Sequence, residues 1–447
     1  MLHGMFASLL IANRGEIARR INRSARAAGI RTIAIHSAAD AELPHVTEAD
    51  TAVELGGGDP TAAYLDIDAI ITAAREAGAE AIHPGYGFLS EKADFARAVI
   101  DAGIAWIGPS PEAITAMGDK INARNLMAEH GVPVAPGGSD PVADAAAAIL
   151  VAESVGYPVM VKAAAGGGGM GMAVAANPEE LAATAERITG FATRLFGSGD
   201  LLIERYYPRV RHIEVQILGL ASGEVLALGE RECSVQRRHQ KLVEETPSPA
   251  VDDALRARLL EASRRAGRAV GYVGAGTVEY LLDVDSGEFF FLEMNTRLQV
   301  EHPITEAVLG IDLVAAQLAI AAGDDPGVAE AAPTGHAIEL RVNAEDPKRF
   351  LPGPGTITEW TEPTGEGIRV DAGYVDGNTV PRFYDSLMAK VIVHGASRAE
   401  AIAVAREAVK GFVITGPKSN LEFHAELLDN DEFVGGDYDT SIVGRMR

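Results

Sequence analysis

The stretch from Gly276 to Pro303 constrains the fold of this chain more than any other. Gly276-Thr277-Val278-Glu279-Tyr280-Leu281-Leu282 and Glu288-Phe289-Phe290-Phe291-Leu292-Glu293 flank Asp285-Ser286-Gly287, which predicts a hairpin with a three-residue loop and glycine in the left-handed position. That register sets Glu279 directly opposite Glu293 on one face. Opposed like charges destabilise a strand pair unless a cation lies between them, and such oxygen ligands suit Mg²⁺ or Mn²⁺. An isolated pair of this kind reads better as a solvated strand face. Here, however, Asn295, Arg297, Gln299 and Glu301 continue the same odd-numbered parity, so an extended chain aims all of them where Glu293 points. Arg297 offers a planar fork for a carboxylate-like anion, and Glu301 at the edge is a candidate general base.

The remainder of the chain divides by pattern. From residue 7 to about 115, strands Ser8-Ala12 and Thr32-Ile35 alternate with a helix from Gly15 to Ala28, and similar units follow to Ile107. This predicts an α/β, Rossmann-like parallel sheet covered by helices on both faces, over residues 1–115. No Gly-x-Gly-x-x-Gly follows the first strand, so a dinucleotide fingerprint is missing. A helical linker over 116–133 reaches the Pro/Gly-rich run 131–138. A small lid over 134–204 follows, then a C-terminal α+β region over 205–447.

A net charge of −24 argues against nucleic acid or an anionic membrane as partner. No apolar run approaches the roughly 20 residues of a membrane helix, and the single Cys233 rules out an internal disulfide, so the expected location is the cytoplasm. Against that acidic background Arg237-Arg238-His239-Gln240-Lys241 is the densest basic cluster and suits capture of a nucleotide and a small anion. Pro158-Val159-Met160-Val161-Lys162 runs into Ala163-Ala164-Ala165-Gly166-Gly167-Gly168-Gly169-Met170, a hairpin lid whose backbone amides could close over phosphates; a Walker loop is absent. His212 alternates with apolar residues in Arg211-His212-Ile213-Glu214-Val215-Gln216 and by itself reads as structural.

Taken with Ile11-Ala12-Asn13-Arg14-Gly15-Glu16-Ile17-Ala18, Ile82-His83-Pro84-Gly85-Tyr86-Gly87-Phe88-Leu89-Ser90-Glu91, Met117-Gly118-Asp119-Lys120, Arg341-Val342-Asn343-Ala344-Glu345-Asp346 and Tyr384-Asp385-Ser386-Leu387, these runs closely resemble biotin carboxylases of the ATP-grasp superfamily. The resemblance spans about residues 7 to 420. It implies an ATP-grasp fold and an ATP-dependent ligase, the ATP-using component of acyl-CoA or pyruvate carboxylases. In such an enzyme ATP would lie between lid and C-terminal region. Lys120, Lys162 and His212 would meet its phosphates or ribose beneath Gly167, Gly168 and Gly169, with Glu204 near the adenine and Gln236, His239 and Leu281 completing the pocket.

Glu279, Glu293 and Asn295 would hold Mg²⁺ or Mn²⁺. Bicarbonate and biotin would meet Lys241, Arg297, Gln299, Val300, Glu301, Tyr86 and Arg341, with Glu301 as base and Arg341 stabilising the enolate-like ureido oxygen. Three positions depart from the family pattern: Met170 where Arg or Lys is usual, Tyr207 for an aliphatic residue near the hinge, and Ala27 for an acidic dimer contact.

Neither Ala-Met-Lys-Met nor Val-Met-Lys-Met occurs, and Met388-Ala389-Lys390 is not that biotinylation motif. The expected partners are therefore a biotin carboxyl carrier protein or domain and a carboxyltransferase, in a homodimer or a larger carboxylase complex. Competing readings are another ATP-grasp ligase that joins a carboxylate to an amine, a pyruvate carboxylase-type component, and an inactive nucleotide-binding subunit. The Arg297-Gln299-Glu301 run and Arg341 speak against the first, and intact Glu279, Glu293, Lys241 and Glu301 against the last.

Overall fold

The computed structural model describes residues 6–56, 58–164 and 171–447. Five parallel strands open the chain: β1 (Ser8–Ile11), β2 (Arg31–His36), β3 (Thr51–Glu54), β4 (Ala81–His83) and β5 (Ala105–Trp106), in the order β3-β2-β1-β4-β5. Between the first two lies α1 (Gly15–Ala27), which places Ile17, Ile21 and Ala25 at helical spacing on its buried face. Glu16, in the first turn of α1, is also buried. A C-terminal segment touches α1 closely here, since a Cβ on Gly373 would stand 2.8 Å from the Glu16 nitrogen. Only glycine lets these two backbones approach so nearly.

A three-stranded antiparallel sheet follows, with β6 (Val159–Ala163) between β7 (Met172–Ala175) and β8 (Leu201–Arg205). Helices Ala145–Val155 and Pro178–Phe196 accompany it, and Ala148, Ala152, Leu181, Ala185 and Ile188 share its small core. The strand carrying Lys162 thus enters the glycine run and β7 leaves it. Gly167, Gly168, Gly169 and Met170 themselves lie outside the described residues.

The largest sheet has eight strands: β9 (Val210–Gly219), β10 (Val225–Arg237), β11 (Gln240–Thr246), β12 (Gly274–Asp283), β13 (Phe289–Asn295), β14 (His336–Asn343), Ile368–Ala372 and Leu387–Gly395. Their order is β13-β12-β9-β10-β11-β14, then Leu387–Gly395 and Ile368–Ala372. All neighbours in it are antiparallel. Helix Asp253–Ala269 covers one part through Leu259, Ala262 and Ala266, and helix Arg398–Gly411 covers the other through Ala401, Ile402, Ala405 and Ala408. The parallel N-terminal sheet and the three- and eight-stranded antiparallel sheets give the mixed α/β and α+β ATP-grasp architecture expected. Among the described residues no single helix is long and apolar enough to cross a membrane.

The β12–β13 hairpin corrects one expectation while keeping its result. The loop has four residues, Val284 to Gly287, closed by Asp283 N–H to Glu288 O at 2.8 Å, with Gly287 at φ 69° as anticipated. Pairing then runs Leu282 with Phe289 and Tyr280 with Phe291, one residue out of the expected register. A bulge at Leu292 restores it, and Glu279 faces Glu293 after all.

Candidate active site

Across the eight-stranded sheet a cleft of about 810 Å³ is lined by residues from the N-terminal sheet loops and from β9 to β14. Of the residues singled out in the sequence, it brings together Tyr86, His212, Gln236, His239, Lys241, Glu279, Glu293, Asn295, Arg297, Gln299, Val300 and Arg341. Lys120, Lys162, Glu204, Leu281 and Glu301 are not among the lining residues. Glu301, expected as a general base at the edge of the site, has its side chain wholly buried behind two cations.

Lys241 is the hub. Its Nζ donates to Glu214 (2.6 Å), Glu279 (2.9 Å) and Glu301 (2.7 Å), and those three carboxylates, outweighing the cost of burial, hold the ammonium charged far above the usual lysine range. The other Glu301 oxygen accepts from Arg341 Nη2 at 2.9 Å. Burial pushes the Glu301 carboxyl up, but Lys241, Arg341 and Arg231 pull it further, to well below the usual carboxylate range. Held in this way, Glu301 is ionised and a weak base. Arg341 is held in turn by Glu244 through Nε at 2.7 Å, and burial raises Glu244 to about 7 against the pull of that arginine.

Arg297 is fixed in the predicted neighbourhood: Nη2 donates to Asn295 Oδ1 (3.0 Å), Nη1 to Gln299 Oε1 (2.8 Å) and Nε to Glu91 Oε2 (3.0 Å). Gln299 Nε2 passes the chain on to Glu279 at 3.0 Å. The backbone leaves strand geometry after Asn295, yet the alternation survives as far as Gln299: Asn295, Arg297 and Gln299 line the cleft while Thr296 and Leu298 are buried away from it. Glu301 instead occupies the N-cap of helix His302–Leu309.

At the opposite end, His212 Nε2 lies 3.1 Å from Glu279 Oε2, an ion pair without hydrogen-bond alignment. Burial opposes the His212 charge, but Glu279 raises its pKa overall. Arg238 and His239 form a two-residue turn between β10 and β11 with φ of 51° and 66°, a left-handed conformation costly for residues other than glycine. This backbone strain falls where His239 reaches the cleft. Lys162 is bonded to Glu204, which also has Arg124 at 3.6 Å, and Lys120 Nζ stands 3.8 Å from Glu293. Leu281 sits half-buried on β12, and Tyr207 stacks on Phe290 with ring centroids 4.8 Å apart.

The donor set suits a hard divalent cation. Glu279 and Glu293 are opposed in register, and burial, then the like charge of Glu279, raises the Glu293 carboxyl. His212, Glu214 and Glu279 also offer ligand atoms within 4.8 Å of one another. Asn295 is partly committed elsewhere, since its oxygen accepts from Arg297 while its buried nitrogen has no partner among the described residues.

Several supports escaped the sequence reading. Glu214 and Arg231, paired at 2.5 Å with no exposed surface, anchor Lys241 from beneath; the shared parity of His212, Glu214 and Gln216 was a usable signal for the first. Glu91 closes the Ile82–Glu91 run, but its place beside Arg297 had no signal, nor had Glu244 and Lys390, because their partners lie roughly 90 to 200 residues away.

Family models match in succession: "Biotin carboxylase, N-terminal domain" over residues 5–114, "Carbamoyl-phosphate synthase L chain, ATP binding domain" over 119–326, and "Biotin carboxylase C-terminal domain" over 339–445. A biotin carboxylase of Halalkalibacterium halodurans is 48% identical over 98% of this chain and 97% of its own length. The biotin-dependent acyl-coenzyme A carboxylase alpha3 subunit of Mycobacterium leprae is 47% identical over 98% of this chain and 74% of its own.

Among solved structures, the Campylobacter jejuni biotin carboxylase complex with β,γ-ATP aligns with a TM-score of 0.93 and 42% identity, covering 98% of this chain and 99% of that one. The biotin carboxylase domain dimer of Hydrogenobacter thermophilus 2-oxoglutarate carboxylase, with MgADP, ADP and bicarbonate, aligns at 0.94 and 41%, covering 99% and 98%. Matched from end to end by relatives of this kind, the chain belongs to the biotin carboxylase family, ATP-grasp ligases that carboxylate biotin.

Proposed function

We propose that this chain activates bicarbonate to carboxyphosphate with ATP and carboxylates the ureido nitrogen of biotin on a carrier protein, the first half-reaction of an acyl-CoA carboxylase. One observation carries the reading: a buried carboxylate, Glu301, is clamped between Lys241 and Arg341 beside the opposed Glu279 and Glu293. ATP would place its phosphates or ribose toward Lys120, Lys162, His212 and the Gly167–Gly169 run, and its base toward Glu204, Gln236, His239 and Leu281. Mg²⁺ or Mn²⁺ held by Glu279, Glu293 and Asn295 would supply charge neutralisation on the phosphates.

Bicarbonate bound by Lys241, Arg297, Gln299 and the Val300 backbone competes for the cationic charge that now depresses Glu301. As the ammonium turns to the incoming anion, the proton affinity of Glu301 rises, so the substrate itself activates the base. Glu301 then takes the bicarbonate proton, the freed oxygen attacks the γ-phosphorus, and ADP leaves. Carboxyphosphate breaks to CO₂ and phosphate; the phosphate removes the ureido proton of biotin, and that nitrogen attacks CO₂. Arg341, with Tyr86 nearby, faces the enolate-like oxygen formed in that step, where a fixed cation lowers the barrier most.

The partners are a biotin carboxyl carrier and a carboxyltransferase, in a homodimer or larger assembly, in the cytoplasm. Support comes from relatives that are themselves components of carboxylases, among them the Mycobacterium leprae protein and one of the pyruvate carboxylase subunits of Methanothermobacter thermautotrophicus. ADP release, measured with Mg²⁺ and bicarbonate and with or without free biotin, tests the reading. A bicarbonate-dependent rise on adding biotin is expected; no rise overturns it.

A further inference from the structure

Lys390, inside the Met388-Ala389-Lys390 run that superficially suggests a biotinylated lysine, is completely buried and unavailable for modification. A lysine without exposed surface needs fixed acceptors to offset its desolvation. Lys390 has two: Nζ donates to the Val300 carbonyl at 2.8 Å and lies 3.1 Å from Glu16 Oε1. Glu16 is in turn bonded by the Tyr86 hydroxyl at the wall of the cleft. Next to this pair on β14 is Glu339, buried, and among the described residues neither of its carboxyl oxygens has a hydrogen-bond partner. Burial drives the Glu339 carboxyl well above the usual carboxylate range, so it offers the ammonium little charge to pair with. Besides Glu16, the ammonium is committed to one particular peptide group.

The peptide is the one joining Val300 to Glu301. Because a peptide is planar, fixing the Val300 oxygen fixes the plane from which the Glu301 side chain departs. Arg341 and Lys390 are direct partners across β14 and strand Leu387–Gly395. Arg341 grips the Glu301 carboxylate, and its cross-strand neighbour grips the peptide just before it. Two cations on adjacent strands thus hold the base at both ends.

We propose that Lys390 is a positioning residue for bicarbonate deprotonation, setting through the Val300 carbonyl the direction in which Glu301 meets its substrate, with Glu16 holding the ammonium in place. The inference rests on the reading of Val300 and Glu301 as the bicarbonate site.

The test compares wild type, K390M, E16Q and K390M/E16Q for thermal stability, ATP·Mg²⁺ affinity by calorimetry, and ADP release as each substrate is varied. K390M retains the side-chain volume, and the double variant also removes the carboxylate that K390M would strand. Loss of one orienting hydrogen bond predicts about a tenfold fall in kcat/KM for bicarbonate in K390M and in the double variant, with ATP affinity within about twofold of wild type. E16Q keeps the bond to Val300 and should exceed K390M in that parameter by about fivefold or more.

Bicarbonate kinetics in K390M or the double variant within about twofold of wild type would overturn the proposal. So would a fall matched by equal loss of ATP affinity, or an E16Q defect as deep as that of K390M, since each places the effect on folding or buried charge. If K390M and the double variant both fail to fold, the E16Q comparison with wild type decides: an E16Q loss of tenfold or more in bicarbonate kcat/KM overturns the proposal, and a smaller loss sustains it. Failure of the underlying reading looks different, because then wild type itself shows no dependence on bicarbonate.

Discussion

Replacing Glu301 with glutamine tests the central arrangement most directly. In the wild type one carboxylate oxygen accepts from Lys241 at 2.7 Å and the other from Arg341 at 2.9 Å. A carboxamide keeps one acceptor and turns an amino group, itself a donor, toward the second cation. Neither cation is stranded, since Lys241 retains Glu214 and Glu279 and Arg341 retains Glu244. The stability loss should therefore be about 1–3 kcal/mol, that of an unsatisfied buried group, and below the roughly 3–5 kcal/mol of a broken isolated pair. Loss of the base itself should cost about 10²–10⁴ in kcat. ATP affinity should change little, because no proposed nucleotide contact is touched.

The pH dependence has a definite sign. Glu301 is depressed in the folded state, so its stabilising contribution is present above the ordinary carboxylate value of 4.5 and is lost as pH falls through the folded value. E301Q should consequently lose stability less steeply on acidification than wild type. ADP release at saturating ATP, Mg²⁺, bicarbonate and biotin, with calorimetric ATP titration and melts between pH 3 and 8, measures all three. Turnover above about a tenth of wild type with ATP binding intact would refute the role of Glu301 as base.

In R297K the fork that meets Glu91, Gln299 and Asn295 becomes a single point charge, and the KM for bicarbonate should rise about tenfold while ATP affinity holds. E293Q should raise the Mg²⁺ concentration for half-maximal ADP release without altering the bicarbonate response at saturating metal, since it removes one of two opposed carboxylates. Glu244, raised to about 7, keeps a proton in the folded protein between about pH 4.5 and 7 that the unfolded chain releases, so stability declines across that window; melting curves of E244Q should flatten there. Glu245 is lowered to about 2 by hydrogen bonds from His336 and Arg398 that outweigh burial, so E245Q should be less stable than wild type at pH 7, with the gap closing as pH falls below about 4.5 toward 2.

The order of elements and the acidic face of the β12–β13 hairpin were readable because they depend on local periodicity. The opposition of Glu279 and Glu293 was also readable, although through a loop one residue too short and a bulge unseen at Leu292, two errors of equal and opposite register. Periodicity records which residues share a face; it does not register a bulge, whose cause lies in packing across the sheet. Glu301 marks where local pattern stops being informative. The parity that holds through Gln299 ends there, and the burial of Glu301 behind Lys241 and Arg341 arises from strands about 60 and 40 residues away.

The crosswise layout of the eight-stranded sheet has a further consequence for how the protein matures. His212, Lys241, Glu279, Arg341 and Lys390 come from five different strands, and the last of these enters the sheet only at Leu387–Gly395. Contacts of such sequence separation form late and slowly. Until that strand docks, β14 presents an unpaired edge, the condition that invites association with other chains. Recovery of enzymatic competence after dilution from denaturant thus reports completion of the whole sheet, and will lag behind recovery of helical signal.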